Sequence, residues 1–343
     1  MQKTCWGSVT DLFSVVIPLY NKVHTIVETL NSVLLQDFLD FEVVVVDDGS
    51  TDGSPDMVAR CFDDPRVRII HQENLGEGGA RNSGIAAARY DLIALLDADD
   101  LWLPGYLSEM NDAVREFPDA GMFCCGGVSR YPDGSGYIRQ SDKYGDSRQK
   151  VDYFEAPFFF GNASSTVFSK KNLVLTGGFP VAMTHHADIV FFFKLALKTE
   201  VVFCPALLTV YNLGIPGQAV GDRRANTMAI VDSSNQIYRF WDSLESEEKS
   251  PSCISAIMQN LRDGVRYSFF HSDYQLLDYF LQNTSSSLLD RLTNIEKFIY
   301  KRPRLRSAAL ARARVTDGLR YRIGRSPLPK YSKDVLSAMH VGI

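Results

Sequence analysis

Along the first third of the chain, short apolar runs alternate with longer stretches whose apolar residues recur every three or four positions. Residues 13–17 (FSVVI) are a brief β-branched run. Residues 42–46 (EVVVV) are apolar almost throughout, as in a strand covered on both faces. Residues 67–70 and 92–96 (LIALL) repeat the signal. Between these runs, residues 21–37 place Ile26, Val27, Leu30, Val33 and Leu34 at helical spacing. Ser54 and Pro55 read as the N-cap and first residue of a second helix. Residues 78–89 read as a small-residue helix and 104–117 as a further one. Repeated strand–helix units of this length predict a parallel sheet with helices on both faces.

Further along, strand-like residues 122–126 and 166–169 flank a polar stretch, 129–149, which is long for a plain connection and reads as a mobile loop beside an active site. Residues 185–198 are apolar almost all round, as in a buried helix. Residues 201–203 and 207–211 are short strands. After Pro216 only helical spacing remains, carried by Ile254, Ile257, Met258, Leu261 and Val265 and then by Leu288, Leu292, Ile295 and Ile299. The pattern predicts an α/β domain over residues 1–216 and an all-helical extension over 217–343.

Composition adds two constraints. With 45% hydrophobic and 22% charged residues, the chain is ordinary for a globular protein. No apolar h-region follows Met1 and no run is long enough to span a bilayer, so a cytoplasmic location is expected. The six cysteines lack metal-ligand spacing and read as reduced core residues. Although the net charge is −5, residues 297–333 hold 12 basic residues against one acid, Asp317. Such a tail suits an anionic surface. An inner membrane leaflet is the first expectation and nucleic acid a distant second, against the plain alternative of a solvated helical face.

The chemistry should lie where the strands end. In an open α/β sheet, ligands bind at the carboxyl ends of the strands. The first strand runs into Pro18-Leu19-Tyr20-Asn21, the second into Asp47-Asp48-Gly49-Ser50, and the fourth into Asp97-Ala98-Asp99-Asp100. So many carboxylates repel one another unless a cation or hydrogen-bond donors intervene. If the backbone stays extended past Leu96, Asp97 and Asp99 face the same way and can share Mg²⁺ or Mn²⁺ with phosphate oxygens. Asp48 suits a base N–H or a ribose hydroxyl, and Tyr20 could stack on a base. Gly76-Glu77-Gly78-Gly79-Ala80-Arg81 is not a dinucleotide fingerprint, since it follows the third strand and ends in arginine. Its glycines either bring a helix N-terminus close to a ligand or pack that helix on the sheet.

These pieces together resemble the family 2 glycosyltransferases of the GT-A fold. The match is carried by SVVIPLYN (residues 14–21), VVVVDDGSTDGS (43–54), NLGEGGARNSGI (74–85), LLDADDLWLP (95–104) and TGGF (176–179), in family order. The resemblance implies a mostly parallel sheet flanked by helices, with the helical extension outside the family pattern. It implies that Pro18, Tyr20, Asp48 and Arg81 line a nucleoside pocket, with Asn21, Gly78, Asp97 and Ala98 alongside. It also implies that Asp97 and Asp99 hold Mn²⁺ or Mg²⁺ on the diphosphate of a nucleoside-diphosphate-sugar, a UDP-sugar first.

The family's catalytic base lies in a Glu-Asp pair, which aligns with Ala187-Asp188, so Asp188 is the base candidate. A Tyr-Arg-x-His element is replaced by Tyr211-Asn212-Leu213-Gly214. Trp102, His185 and His186 are candidates for acceptor contact, and residues 158–160 offer aromatic rings that are more simply core. The implied reaction is an inverting transfer to a hydroxyl of a saccharide or lipid-linked saccharide, in cell-surface polysaccharide or glycolipid synthesis. The rivals are a nucleotidyltransferase, which would release pyrophosphate, and a degenerate scaffold, favoured only by Ala187.

Overall fold

The structure is a computed structural model that describes residues 12–139, 144–160, 162–215, 218, 222–271, 273–292 and 330–331. Its strands are β1 (Phe13–Leu19), β2 (Phe41–Asp47), β3 (Val67–His71), β4 (Leu92–Leu95), β5 (Leu101–Trp102), β6 (Met122–Arg130), β7 (Gly136–Arg139), β8 (Gln149–Val151), β9 (Thr166–Ser169), β10 (Val201–Asn212) and β11 (Lys330–Tyr331). Its helices are α1 (Ile26–Leu34), α2 (Ser54–Cys61), α3 (Gly76–Ala87), α4 (Tyr106–Glu116), α5 (Pro157–Phe160), α6 (Leu173–Thr176), α7 (Ala187–Lys198), α8 (Arg223–Asp242), α9 (Pro251–Phe270), α10 (Tyr274–Asn283) and α11 (Ser286–Leu289).

β1 is the pivot of the sheet. It pairs in parallel with β2 on one side and β4 on the other, and β3 lies outside β2, also parallel. The chain therefore winds outward from β1 to β3 and returns to the opposite side for β4. That reversal makes the carboxyl ends of β1 and β4 a topological switch point, the place where open α/β sheets bind their ligands. Beyond β4 the sheet is mixed. β9 runs antiparallel between β4 and β6, whereas β10 returns parallel to β6. The polar stretch expected to be a mobile loop instead holds most of a β6–β7 hairpin, which pairs Gly127 with Arg139 and Arg130 with Gly136. Residues 140–143 of that stretch lie outside the described residues.

Both sheet faces are covered, as the unbroken apolar runs require. Phe13, Val15, Ile17, Val43 and Val45 pack with Ile26, Leu30 and Val33 of α1 and with Leu107 and Met110 of α4. On the other face Val16, Ile85 and Phe168 join Phe191 and Phe193 of α7. The same cluster takes in Val231 and Ile237 of α8, Ile257 and Leu261 of α9, and Leu276 of α10. The helical extension thus shares a core with the sheet, and the boundary drawn at residue 216 falls outside the described residues.

Two local readings change. Ser54 is the first residue of α2 rather than its cap, and the cap is Gly53 at φ 84°. The Ser54 hydroxyl accepts from the Lys22 N–H at 2.9 Å, tying α2 to the loop after β1. Gly78 and Gly84 serve packing. A methyl at Gly78 would lie 2.8 Å from the Pro180 carbonyl, and one at Gly84 would lie 2.4 Å from Val16 Cγ1 and 3.0 Å from Val46 Cγ2. Gly84→Ala should therefore cost about 1–3 kcal/mol through overpacking. Denaturant unfolding measures it, and a midpoint equal to that of the native chain would show that α3 can lift without penalty.

Candidate active site

At the end of β4 the chain turns at once. The Asp100 N–H donates to the Asp97 carbonyl at 3.0 Å, so the backbone does not stay extended past Leu96. The expectation that Asp97 and Asp99 face one point by strand alternation fails for that reason. Each carboxylate meets its own cation instead. Arg81 Nη2, from α3, donates to Asp97 Oδ1 at 2.7 Å. Lys22 Nζ, from the loop after β1, donates to Asp99 Oδ2 at 2.7 Å. Among the described residues, no group of three or more His, Cys, Asp or Glu side chains is arranged to hold a metal ion.

The turn is held from three neighbouring elements. The Thr25 and Thr29 hydroxyls of the α1 region donate to the Ala98 carbonyl at 2.8 and 3.1 Å. From β10, the Asn212 side-chain amide donates to the Asp99 carbonyl at 2.7 Å. The Ser164 hydroxyl accepts from the Asp97 N–H at 3.2 Å and donates to Asp100 Oδ2 at 2.5 Å. Asp100 also accepts from the Asn212 N–H at 3.1 Å. Burial, with the like charges of Asp99 and Asp97, pushes the Asp100 carboxyl well above the usual range. Asp100 is thus a structural anchor, while Asp97 and Asp99 stay at the crevice.

Arg81 is the centre of charge. Its side chain is 1% exposed, and Nη2 also donates to Glu77 Oε1 at 2.5 Å. The guanidinium lies 5.4 Å from the Phe179 ring centroid. Its Nε and Nη1 are buried without a hydrogen-bond partner. Glu77 sits at the mouth with 46% of its side chain exposed. The protein around it and the like charges of Asp97, Asp188 and Asp99 raise its carboxyl, against the pull of Arg81 and the moderating solvent. Asp188, second residue of α7, is close enough to act electrostatically on both Glu77 and Arg81. Its Oδ1 accepts from the Ile189 N–H at 2.8 Å.

The remaining candidates divide. Tyr20 is 48% exposed beside the switch point. Asn21, at φ 52°, accepts from the Thr51 N–H through Oδ1 at 2.8 Å and joins the loops after β1 and β2. Pro18 lies half-buried within β1. Asp48 is buried, and its Oδ1 accepts from Gln72 Nε2 at 2.6 Å and the Leu75 N–H at 2.9 Å, which positions the start of α3. Ala98 is buried, and its carbonyl is engaged by the two threonines.

Trp102 has to be corrected. It is 2% exposed, stacks on Tyr106 at 4.1 Å and donates its indole N–H to the Ser164 carbonyl, so it is core and not an acceptor platform. Phe160 is core as well. His186 turns toward α8, with Nδ1 3.4 Å from Ser233 Oγ, and burial lowers its pKa. His185 lies 3.1 Å from the Thr184 hydroxyl and is half-buried.

Sequence reasoning missed Lys22, Glu77, Asp100, Ser164 and Asn212. Lys22 had a signal, as a lone cation at the first strand end. Ser164 had none, because it reaches the turn from a 3₁₀ segment 64 residues beyond Asp100. Where the family pattern has arginine, Asn212 accepts from Arg130 Nε on the paired strand at 2.9 Å.

Comparison with known proteins bears on the fold and the family. Residues 14–172 match the family model described as Glycosyl transferase family 2. An uncharacterized glycosyltransferase of Nostoc sp., alr2836, is 43% identical over 111 residues, which is 32% of this chain and 34% of that protein. The succinoglycan biosynthesis protein ExoO of Rhizobium meliloti is 50% identical over 96 residues, 28% of this chain and 27% of that one. The chain thus aligns with about a third or less of the length of these two relatives. Among solved structures, S. aureus TarS 1–349 in complex with UDP-GlcNAc superposes with a TM-score of 0.70 at 18% identity, over 93% of this chain and 99% of that one. The Pyrobaculum calidifontis mannosyltransferase PcManGT in complex with GDP-Man and Mn²⁺ gives 0.53 at 19% identity, over 89% and 87%. The fold is therefore GT-A.

Proposed function

We propose that this chain, whose residues 14–172 match the family 2 glycosyltransferase model, transfers a sugar from a nucleoside diphosphate to an acceptor hydroxyl. One observation carries this reading. Lys22, Arg81, Asp97 and Asp99 meet at the switch point of the sheet, with Asp188 close by on α7. In this reading Tyr20, Asn21, Asp48 and Arg81 border the nucleoside. Asp188 takes the proton of the acceptor hydroxyl as that oxygen attacks the anomeric carbon. The bond from that carbon to the diphosphate breaks, so a single displacement inverts its configuration. Arg81 supplies fixed positive charge near the departing diphosphate, and Lys22 adds a second cation beside it.

The aspartates also fit Mg²⁺ or Mn²⁺. Such ions use one or two carboxylates and take their other oxygens from phosphate and water, so a third protein ligand is not required. Two carboxylates in one firmly held turn, each already paired with a cation, make a cation-attracting site. When bound there, the metal would neutralise charge on the leaving diphosphate.

UDP-N-acetylhexosamines are the first donors to test, on the strength of the UDP-GlcNAc bound by TarS. A saccharide or lipid-linked saccharide is the acceptor class to test, since ExoO is named for the biosynthesis of a polysaccharide, succinoglycan. Among the described residues no helix is long and apolar enough to cross a membrane. The basic stretch 297–333 lies outside the described residues apart from 330–331. Its docking on an anionic leaflet, at the cytoplasmic face, is proposed from charge alone. The chain should sediment with anionic vesicles and not with neutral ones. Equal binding to both would remove that part of the reading.

Nucleotide sugars incubated with the chain and Mn²⁺ should release nucleoside diphosphate without pyrophosphate, and a UDP-sugar should be turned over fastest. Pyrophosphate release when a nucleoside triphosphate is supplied with a sugar 1-phosphate would favour a nucleotidyltransferase. No turnover of any donor would favour the scaffold that Ala187 allows.

A further inference from the structure

The two aspartates are neutralised by cations of very different mobility, and this difference assigns a role to Lys22. Arg81 is locked. It is 1% exposed, forked between Glu77 and Asp97, and faces the Phe179 ring. Lys22 is anchored only at its backbone. Its N–H donates to the Ser54 hydroxyl at 2.9 Å, and its carbonyl accepts from the Thr25 and Ile26 N–H groups at 3.1 and 3.0 Å. From that fixed base a four-carbon stem carries the ammonium to Asp99, and the side chain is 16% exposed. Lysine is a point charge on a flexible stem, so it can change anions without disturbing the fold. Arginine in a buried fork cannot.

We propose that Lys22 is the exchangeable counter-ion of the donor site: it holds Asp99 in the ligand-free chain and passes to the diphosphate when nucleotide and divalent cation enter together. The inference rests on the metal-binding reading of Asp97 and Asp99. The ammonium sits 2.7 Å from Asp99 Oδ2, and a divalent ion taken by either oxygen of that carboxylate would sit beside it. A divalent ion entering alone would have to expel Lys22 and leave two positive groups facing each other. With a diphosphate present, the expelled ammonium gains a new anion. Lys22 therefore makes metal binding weak without nucleotide, and each ligand strengthens the other by the same factor.

The test is Mn²⁺ binding, read as loss of the free-ion electron paramagnetic resonance signal, with and without UDP. The native chain should bind Mn²⁺ weakly alone and more tightly with UDP. Lys22→Met should bind Mn²⁺ without UDP roughly tenfold more tightly than the native chain, because no ammonium has to be expelled. Lys22→Arg should stay close to the native value. Lys22→Gln, which keeps most of the length and can still hydrogen-bond Asp99, replaces the methionine variant if that one does not fold. Equal or weaker Mn²⁺ binding by the neutral variants overturns the assignment of Lys22 while leaving the metal reading intact. No Mn²⁺ binding by any variant, even with UDP, overturns the metal reading and the proposal with it.

Discussion

Asp188→Asn should lower kcat for glycosyl transfer by roughly 10²–10⁴-fold, the usual contribution of a positioned general base. Stability should change little. The amide keeps the oxygen that accepts from the Ile189 N–H, and asparagine is tolerated at the start of a helix. KM for the donor should move far less than kcat, because the proton is taken from the acceptor. Steady-state release of nucleoside diphosphate, alongside thermal unfolding, measures both effects. Glu77 is the competing carboxylate, since it shares the crevice and is raised by its surroundings. It is paired with Arg81, so its basicity is already engaged. If Asp188→Asn keeps activity within a few-fold of native while Glu77→Gln loses it, the roles assigned here are reversed. The same pair of variants bears on Ala187. A working Asp188 beside alanine would show that the upstream glutamate of the family pattern is dispensable for turnover.

The sheet could be read from sequence because its signal is local. Residues 43–46 are apolar throughout, and they lie in the strand that is paired on both sides and covered on both faces. The antiparallel insertion of β9 was not legible. Nothing within residues 166–169 states which partners it will find, and its place between β4 and β6 depends on contacts with residues far away in sequence. The site shows the same divide. Asp97, Asp99 and Arg81 were proposed from strand-end position and motif, and the structure brings them to one strand end. Their pairing was not proposed, because strand alternation was extended one turn too far. The chain bends at Asp97–Asp100, where threonines of α1 and Ser164 bind the backbone. Trp102 failed for a related reason. Its position after the acidic turn suggested ligand contact, but it lies in β5, whose pairing with β10 carries its ring into the core.

Arg81→Met should be the most damaging substitution for the fold of the crevice, at about 3–5 kcal/mol, because it removes one partner from a buried ionic group and leaves the others uncompensated. Methionine fills similar volume, so packing against Phe179 is largely kept and the loss reports charge. The sign of its pH dependence follows from Glu77. That carboxyl is raised to about 7 in the folded chain, so its ionisation weakens the fold as pH climbs above the ordinary glutamate value of 4.5. Arg81 is the cation that opposes the rise. Without it, the repulsion from Asp97 and Asp188 acts unopposed and the Glu77 pKa climbs further. The gap in denaturant midpoint between native and variant should therefore be smaller at about pH 4.5, where Glu77 is protonated and only the Asp97 pairing is lost, and widen toward pH 8. Arg81→Lys should recover only part of the loss, since the shorter lysine stem falls short of the Nη2 position that donates to both Glu77 and Asp97. Nucleotide affinity should fall in both variants even where they stay folded, because Asp97 loses the partner that fixes it. A midpoint gap that is constant from acid to alkaline pH would show that Arg81 stabilises the chain by packing alone, and the electrostatic account of the crevice would then fail.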